Sequence, residues 1–294
     1  MVESSDGFIR LNACGFHILV LNYFETDFMK LFYSEYIKDY SSYTFSYVPY
    51  AVYRAREEMS EIYDAGFLPY TGNVDLDHYL YYKARSVRID LATFEPGSEN
   101  RRVQRKFENL NVEVNWVPVT EFDREDEGFV SFCSDYSRQR FKGGEMEADR
   151  LEYILGSPFL TDIVVYNIEG KRAGYVFVGQ NEDLVHYWYS FYELEDFQDL
   201  PLGKFMMLDM IRQSKETGRK HCYLGTCYGA HSLYKVRDFK GVEYSEGSIW
   251  SADVKRLKEW TKSDDEPLAS DRFKQLSPED ANAYVDSLIN QEGS

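Results

Sequence analysis

Cysteine is scarce and unsuitably spaced for a metal centre. The chain has 294 residues, four of them cysteine, and no Cys-x-x-Cys pair. Cys222 and Cys227 lie closest together, but no quartet of Cys and His accompanies them. Buried free thiols are therefore favoured over a metal site, and we predict neither a bound metal nor a resident cofactor.

Long apolar runs are also lacking. A membrane-spanning helix needs roughly 18 or more apolar residues in succession, and no segment approaches that length. The N-terminal stretch MVESSDGFIR is acidic and polar, whereas a signal peptide starts basic and then becomes apolar. We therefore expect a soluble, cytoplasmic protein.

Positive charge is in short supply, with 33 Lys and Arg against 50 Asp and Glu and a net charge of −17. An acidic chain repels nucleic acid unless its basic residues are gathered locally. One such gathering lies in the helix predicted over 98–109. At about 100° per residue, four cations share an arc of about 140°: Arg101, Arg102, Arg105 and Lys106. This face is either a solvated helix surface or an anion site, and both interpretations stay open.

Aromatic residues are abundant, at 17% of the chain with 25 Tyr and 20 Phe, which predicts a core of large amphipathic side chains. In the N-terminal third, the patterns predict a strand at 15–22, helices at 26–39 and 54–65, and a strand at 81–90. Ser98 is the expected N-cap of the basic helix. We assign residues 1–100 to an N-terminal α/β region.

Residues 101–262 form the predicted main domain. The patterns indicate a strand at 112–119, a helix at 145–155, a hairpin around the turn Glu-Gly-Lys, and a third strand, DLVHYWYSFYEL. A helix closed by Gly218, the strand KHCYLGTC, a short helix and a closing strand follow. From 263 to 294 the chain is an acidic tail with a last helix that Ser277 and Pro278 begin.

The segment QDLPLGKFMMLDM (198–210) puts Gly203 and Lys204 at the start of an apolar helix. Unpaired amides and the helix dipole favour an anion there, Gly203 would let a phosphate approach the backbone, and Lys204 adds charge. The segment is neither a Walker loop nor a dinucleotide-binding GxGxxG motif. A turn followed by a solvated lysine is the alternative.

The strand HYWYSFYELE (186–195) is aromatic on both faces. Strand alternation predicts that Tyr187, Tyr189, Phe191 and Glu193 share one face. Glu193, at the strand end, is a candidate general base if it lies beside a cleft, and a solvated carboxylate otherwise.

The segment YLGTCYGAHSLYKVRDF (223–239) has two glycines that mark a bend or a close backbone approach after a strand. Tyr234 and Lys235, on the following short helix, could face a cleft. Cys227 and His231 could form a nucleophile and its base. No third group is evident to orient them, so a core cysteine with an incidental histidine is favoured.

The order of elements over 110–250 resembles the GNAT acyltransferase fold, and SLYKVRDFKGVEY is similar to its tyrosine-bearing helix and final strand. The loop that binds the pyrophosphate of coenzyme A in that fold, Q/R-x-x-G-x-G/A, is missing, since this chain has only DLPLGK. The resemblance implies an α+β fold: a GNAT-like mixed, mainly antiparallel sheet with flanking helices, plus a smaller N-terminal α/β region.

More specific matches resemble the aminoacyl-tRNA–protein transferases, the arginyl- and leucyltransferases of the N-degron pathway of protein degradation. WYSFYELE resembles their strand ending in F/Y-Y-D-P, PLGKF their S-L-G-x-Y/F helix start, CYLGTCY their Y-x-G-Y strand, and LYKVRDFKGVEY their K-M-x-Y-K-x-x-F/Y segment. FEPGSENRRVQRKFENL and AGFLPYTG resemble the family's arginine-rich segment and the G-F-x-x-x-G loop before it. The matches follow one another in the family's order over most of the chain.

The resemblance implies transfer of Arg or Leu from aminoacyl-tRNA to the N-terminal amine of a protein whose first residue is acidic. Glu193 is then the proposed base, and Tyr234 the proton donor to the departing ribose hydroxyl. The residues expected to contact tRNA or substrate are Arg101, Arg102, Arg105, Lys106, Tyr192, Gly203, Lys204, Tyr223, Gly225 and Lys235. Two alternatives stay open: a coenzyme A-dependent N-acyltransferase of the GNAT class, and a non-catalytic adaptor.

The chain departs from the family's pattern at two places. The family's N-terminal region carries clustered cysteines, and the corresponding stretch NVDLDHYLYYKARSVRID has none, which puts any metal, cluster or redox control there in doubt. Glu193 stands where the family's strand-end motif has Asp, and the Pro after it is lost. A divergent subfamily with its own donor or acceptor preference is expected.

Overall fold

The structure, a computed structural model, consists of two β-sheets that share a buried aromatic cluster. It describes residues 18–19, 31–39, 44–140, 146, 148–247, 249–264, 277–280 and 282–283. Within these ranges, no helix has the length and apolar character to cross a bilayer.

The smaller sheet has five antiparallel strands in the order β1-β2-β3-β5-β4. They are β1 (Ile18–Leu19), β2 (Leu31–Asp39), β3 (Thr44–Val52), β4 (Phe67–Pro69) and β5 (Leu80–Lys83). The helix predicted at 26–39 is wrong over 31–39, because this segment pairs with β3 and its Phe, Tyr and Ile residues are good strand formers. Of the strand predicted at 15–22, only β1 falls within the described residues, and 26–30 lies outside them.

The helix predicted at 54–65 is confirmed as a 3₁₀ turn, Arg56–Glu58, that continues into α1 (Met59–Asp64). Met59, Ile62 and Tyr63 on α1 are buried in a cluster to which both sheets contribute. α1 therefore joins the smaller sheet to the larger one.

The larger sheet has eight strands in the order β13-β12-β6-β11-β10-β9-β8-β7. In chain order they are β6 (Ser86–Asp90), β7 (Val112–Pro118), β8 (Asp162–Ile168), β9 (Lys171–Gln180), β10 (Leu184–Tyr192), β11 (His221–Thr226), β12 (Val242–Ser245) and β13 (Trp250–Ser251). All neighbours run antiparallel except β10 and β11, which are parallel. The predicted α+β class with a mixed, mainly antiparallel sheet is thus confirmed.

The single strand predicted at 81–90 is two strands that belong to different sheets. β5 ends at Lys83 and β6 begins at Ser86, with Ala84 and Arg85 between them. At this break the Arg85 guanidinium pairs with Asp264. Since β6 lies between β12 and β11, the N-terminal segment contributes to both sheets, and the domain boundary near residue 100 stays a prediction.

Helices cover both faces of the larger sheet. They are α2 (Ser98–Arg105), α3 (Glu127–Arg140), α4 (Ala148–Gly156), α5 (Leu202–Glu216), α6 (Tyr234–Arg237) and α7 (Val254–Ser263). α2, α5 and α7 bury side chains in the core on one face, and α3 and α4 bury theirs on the other. The sequence patterns predict α4 and α5 correctly but do not predict α3 or α7.

The predicted N-cap of α2 is displaced by one residue. α2 begins at Ser98, and its N-cap is Gly97, whose amide donates to Asn100 Oδ1 at 2.8 Å. The buried Asn100 thus supplies the capping contact in place of Ser98. At the other end of the chain, Ser277 accepts a hydrogen bond from the Asp280 amide at 3.1 Å, as an N-cap does.

Candidate active site

β10 and β11 separate soon after they begin. They pair over 184–186 and 221–223, and not beyond. The register of β10 against β9 shifts at Trp188, and that of β11 against β6 shifts at Leu224, just before Gly225 with its φ of 80°. A gap therefore opens between the carboxyl ends of these strands, and the β10 backbone groups that face it lack a partner strand.

Lys235 on α6 places its ammonium in this gap. Nζ donates to the Thr226 carbonyl at 2.8 Å, and a Cβ on Gly225 would lie 3.5 Å from Nζ. Burial lowers the pKa of Lys235 to about 8, with a smaller opposing effect of Cys227. The gap therefore contains a cation that loses its charge just above neutral pH.

Tyrosine hydroxyls from three elements surround the gap. Tyr234 on α6 interacts electrostatically with Tyr192 and Tyr187 of β10, and Tyr136 of α3 hydrogen-bonds with Tyr192. Tyr234 is 51% exposed as a residue, yet burial, followed by the effects of Tyr192 and Cys227, raises the pKa of its hydroxyl to about 12. Tyr234 therefore stays protonated at neutral pH and can donate a proton. The structure thus brings four predicted site residues together: Tyr192, Gly225, Tyr234 and Lys235.

The predicted alternation along β10 is wrong after Tyr187. Because the register shifts at Trp188, Tyr187 packs in the core under α5, whereas Tyr189 and Phe191 pack in the core on the α3 and α4 side. An extra residue in a strand reverses the faces of all residues that follow it.

Glu193 lies one residue past β10. Its Oε1 accepts hydrogen bonds from the amides of Leu194 and Glu195 at 3.0 and 2.9 Å. It lines a cavity of about 220 Å³ between α3 and the end of β10, to which Asp135 and Tyr192 also contribute. Tyr192 therefore connects the surroundings of Glu193 with those of Tyr234.

Gly203 and Lys204 both have protein partners at the start of α5. A Cβ on Gly203 would lie 2.6 and 2.7 Å from ring atoms of Tyr192 and 2.9 Å from its hydroxyl oxygen, so the glycine makes room for that side chain. Lys204 Nζ pairs with Glu99 at 2.8 Å and with Asp238 at 2.6 Å. A phosphate at this position would have to compete with both carboxylates and approach past Tyr192, and the phosphate role of these two residues stays a prediction.

Some of the cations on the basic face of α2 also have protein partners. Arg102 pairs with Glu99 at 2.7 Å, Arg101 donates to the Pro96 carbonyl at 2.6 Å, and Lys106 donates to the Asp199 carbonyl at 3.2 Å. All four cations are exposed, while Val103 and Phe107 on the opposite side are buried.

Tyr223 lies on the face of the larger sheet that meets the smaller sheet. It is fully buried, its hydroxyl donates to Asp64 Oδ1 at 2.9 Å, and its ring packs against Tyr63 and Trp250. Arg88 also donates to its hydroxyl, at 3.2 Å. The structure thus gives Tyr223 a packing role, and a contact with the aminoacyl group stays a prediction.

His186, the last residue of β10 that pairs with β11, has a strongly depressed pKa. Burial, followed by the charge of Lys235, lowers the pKa of His186 to about 3. Nδ1 lies 2.9 Å from the Tyr63 hydroxyl, and the buried Nε2 has no partner among the described residues.

We expect this histidine to destabilise the fold in acid. In the unfolded chain His186 binds a proton near pH 6.5, and in the folded chain it does not. The contribution of neutral His186 to the free energy of unfolding is therefore fully present above pH 6.5 and is lost as the pH falls toward 3. The contribution lost between pH 7 and pH 5 should be about 2 kcal/mol. Urea unfolding at both pH values measures the free energy of unfolding. Between pH 7 and pH 5 this free energy should fall further in wild type than in His186→Gln, by about this amount. Equal drops would contradict the assignment.

A larger cavity, of about 660 Å³, lies at the opposite end of β10 and β11, near the residues that precede these strands. Three arginines line it: Arg56, Arg124 and Arg219. Each already donates to a protein oxygen, on Gln180 or Leu155. Because this cavity contains none of the predicted site residues, the gap between β10 and β11 is the stronger candidate.

Sequence reasoning missed the contributions of Tyr136, Tyr187 and Trp188. Tyr136 lies on an unpredicted helix, and nothing in the sequence marks Trp188 as the site of a strand irregularity. For the register shift on β11, the sequence does give a signal, which is Gly225.

Comparison with known proteins agrees with this geometry. A model of the acetyltransferase (GNAT) domain matches residues 99–240, which include both strands of the gap and the helices α5 and α6. A solved structure of L-PGS from Bacillus licheniformis is 17% identical over 57% of this chain and 49% of its own, with a TM-score of 0.37, too low to support an inference. The fold and the gap thus define a GNAT-type domain.

Two curated relatives identify the family. The aspartate/glutamate leucyltransferase of Ruegeria sp. is 30% identical over 192 residues, or 63% of this chain and 67% of that protein. The leucyltransferase of the same name from Rhizorhabdus wittichii is 28% identical over 179 residues, or 56% and 64%. The chain belongs to the aminoacyl-tRNA transferase family. It spans somewhat less than two thirds of the Rhizorhabdus relative.

Proposed function

We propose that the protein transfers an amino acid from aminoacyl-tRNA to the N-terminal amine of a protein. The observation that carries the proposal is the gap between β10 and β11, where the Lys235 ammonium and the Tyr234 hydroxyl lie beside unpaired strand backbone. The names of the relatives favour leucine over arginine as the transferred residue and an acidic first residue on the acceptor.

The reaction needs no covalent intermediate. The acceptor amine attacks the ester carbon, the carbonyl oxygen becomes an oxyanion, and the C–O bond to the ribose breaks as the amide forms. The unpaired backbone of β10 and the Lys235 ammonium stabilise the oxyanion, because preorganised donors act strongly where water is excluded. Tyr234 gives its proton to the departing ribose oxygen. Glu193 takes a proton from the amine, which enters from the α3 side past Tyr192.

Loss of the Lys235 charge should impair this reaction above neutral pH. Because the pKa of Lys235 is about 8, we expect kcat in wild type to fall as the pH rises from 7 to 9. Lys235→Met should lower kcat at pH 7 and remove this fall, while Lys240→Met, at an exposed pair with Glu95, should keep the wild-type profile. A fall of the same size in Lys235→Met would show that another group titrates.

The donor is tRNA rather than coenzyme A in this proposal. The Tyr192 ring covers Gly203, and Lys204 is paired with two carboxylates, which leaves the start of α5 unlike an open pyrophosphate loop. The exposed cations lie on α2 and at its C-cap, and Phe107, two residues past α2, stacks on Phe205 of α5 at 3.9 Å between ring centres. This face is proposed to contact the acceptor stem.

Reversal of charge on α2 should weaken tRNA binding. Arg101→Glu with Arg105→Glu leaves the Arg102–Glu99 pair intact. If both arginines contact phosphates, the slope of log affinity against log salt should decrease in size by about 2. The matched control is Arg138→Glu with Lys171→Glu, which reverses two exposed cations elsewhere. If the two double variants bind tRNA with the same affinity and the same salt dependence, the proposed contact between α2 and the tRNA phosphates is rejected.

A donor comparison tests the proposal as a whole. The protein is incubated with labelled leucyl-, arginyl- and phenylalanyl-tRNA and with labelled acetyl-coenzyme A, each with peptides that begin with Asp, Glu, Arg or Lys. We expect label to pass from leucyl-tRNA to the Asp and Glu peptides. Transfer from acetyl-coenzyme A alone would favour the N-acyltransferase alternative. The match to the acetyltransferase (GNAT) domain model is the observation that supports that alternative. No transfer from any donor would favour an adaptor.

A further inference from the structure

Tyr228 is an exposed aromatic ring in a fixed position. It follows β11 by two residues and is 45% exposed. Its hydroxyl accepts a hydrogen bond from the Arg85 amide at 2.7 Å, and the Arg85 guanidinium lies 4.4 Å from its ring centre. Among the described residues no other aromatic ring stacks on it, and nearly half of the residue is exposed to solvent.

The backbone on both sides of Tyr228 is also held by hydrogen bonds. The Cys227 amide and carbonyl both bond to Arg85, at 3.0 and 2.7 Å. The Gly229 amide donates to Asp264 at 2.7 Å, and Asp264 also pairs with the Arg85 guanidinium. Arg85 itself is 8% exposed. A buried ion pair thus fixes a surface tyrosine, which costs side-chain freedom that an ordinary solvated ring would keep.

Tyr228 lies at the rim of the gap. Tyr82 interacts electrostatically with both Tyr189 of β10 and Tyr228, which follows β11. Thr226, two residues before Tyr228, accepts the hydrogen bond of Lys235. Four large hydrophobic side chains are exposed in the part of the chain that the structure describes, and two of them, Tyr228 and Tyr234, border the gap.

We propose that Tyr228 is a stacking platform for an unpaired base at the 3′ end of the donor tRNA. The inference rests on the proposed function, because the ester that must enter the gap is carried by the terminal ribose, next to unpaired bases. Proteins bind such bases by stacking them on aromatic rings, and the contact tolerates any base. Arg85 lies against one face of the ring, 4.4 Å from its centre, and holds the ring in the orientation that a stacked base would meet.

The test compares two tRNAs and four proteins. Binding of deacylated tRNA with a complete 3′ end, and of the same tRNA without its unpaired 3′ nucleotides, is measured for wild type, Tyr228→Leu, Tyr228→Trp and Tyr47→Ala. Tyr47, on β3, is 50% exposed and serves as the matched control. Tyr228→Leu retains apolar bulk without a ring, and thermal melting checks that it folds.

We expect Tyr228→Leu to bind the complete tRNA about 5- to 100-fold more weakly than wild type. Tyr228→Trp and Tyr47→Ala should bind it like wild type, and all four proteins should bind the truncated tRNA alike. With 2-aminopurine as the terminal base, wild type should quench the fluorescence and Tyr228→Leu should not.

Three results would overturn the inference: unchanged binding in Tyr228→Leu, an equal loss with the truncated tRNA, or a change in the peptide KM alone. The last would assign Tyr228 to the protein substrate. Wild type that binds no tRNA would overturn the proposed function and this inference with it.

Discussion

Tyr234→Phe is expected to lower kcat by about 100- to 10,000-fold, the usual contribution of a positioned general acid or base. The ribose oxygen leaves as an alkoxide unless it receives a proton, and Tyr234, with a pKa raised to about 12, retains its proton at neutral pH. The donor KM and the melting temperature should stay near wild type, because the ring is half exposed and remains in place.

Single-turnover transfer at saturating donor measures this effect, with Tyr47→Phe as the control, because Tyr47 lies on the smaller sheet and is, as a residue, 50% exposed against 51% for Tyr234. A kcat within about threefold of wild type would exclude Tyr234 as the proton donor. A rise in donor KM with unchanged kcat would assign it to binding alone.

Arg88→Met is expected to lower the free energy of unfolding by about 2–4 kcal/mol. Arg88 is 8% exposed and pairs with Asp64 and Glu243 at 2.8 Å each, and its guanidinium lies 4.0 Å from the Trp250 ring centre. Its removal leaves Glu243 and the Tyr223 hydroxyl without their buried partner. The partial exposure of Asp64 keeps the expected loss below that of a fully buried pair.

Urea unfolding at pH 7 measures the loss, and Lys171→Met is the control. Lys171 pairs with Asp196 at 2.9 Å with both side chains more than half exposed, and its loss should cost less than about 1 kcal/mol. Equal costs for the two variants would mean that the Arg88 contacts do not hold α1 to β6, β11 and β12.

The sequence predicts local elements of the larger sheet well, because their signals are local. The hairpin of β8 and β9 follows from strand formers around a Gly-containing turn, and α5 from an apolar helix closed by Gly218, which has a φ of 82°. The helix predicted at 26–39 is wrong over 31–39 because the pairing of this segment with β3 is a tertiary contact. α3 and α7 were missed although both bury apolar residues against the sheet.

The candidate site is harder to predict because its geometry depends on distant contacts. Tyr234, Lys235 and Gly225 could be selected from one segment, and they do lie together. The neutralisation of Lys204 by Glu99 joins residues that are 105 positions apart, and no local pattern indicates it. The fixed position of Tyr228 cannot be predicted from local sequence, because it depends on Arg85, which precedes the neighbouring strand β6, and on Asp264.

Mass spectrometry of the acceptor peptide tests the central claim most directly. Two peptides that begin with Asp, one with a free and one with an acetylated N-terminal amine, are incubated with leucyl-tRNA and the protein. The account predicts that the free peptide gains the mass of one leucyl residue on its N-terminal amine, that the acetylated peptide gains none, and that Tyr234→Phe greatly slows the gain. A free peptide of unchanged mass with wild-type protein, or a leucyl residue on any other group, would contradict it.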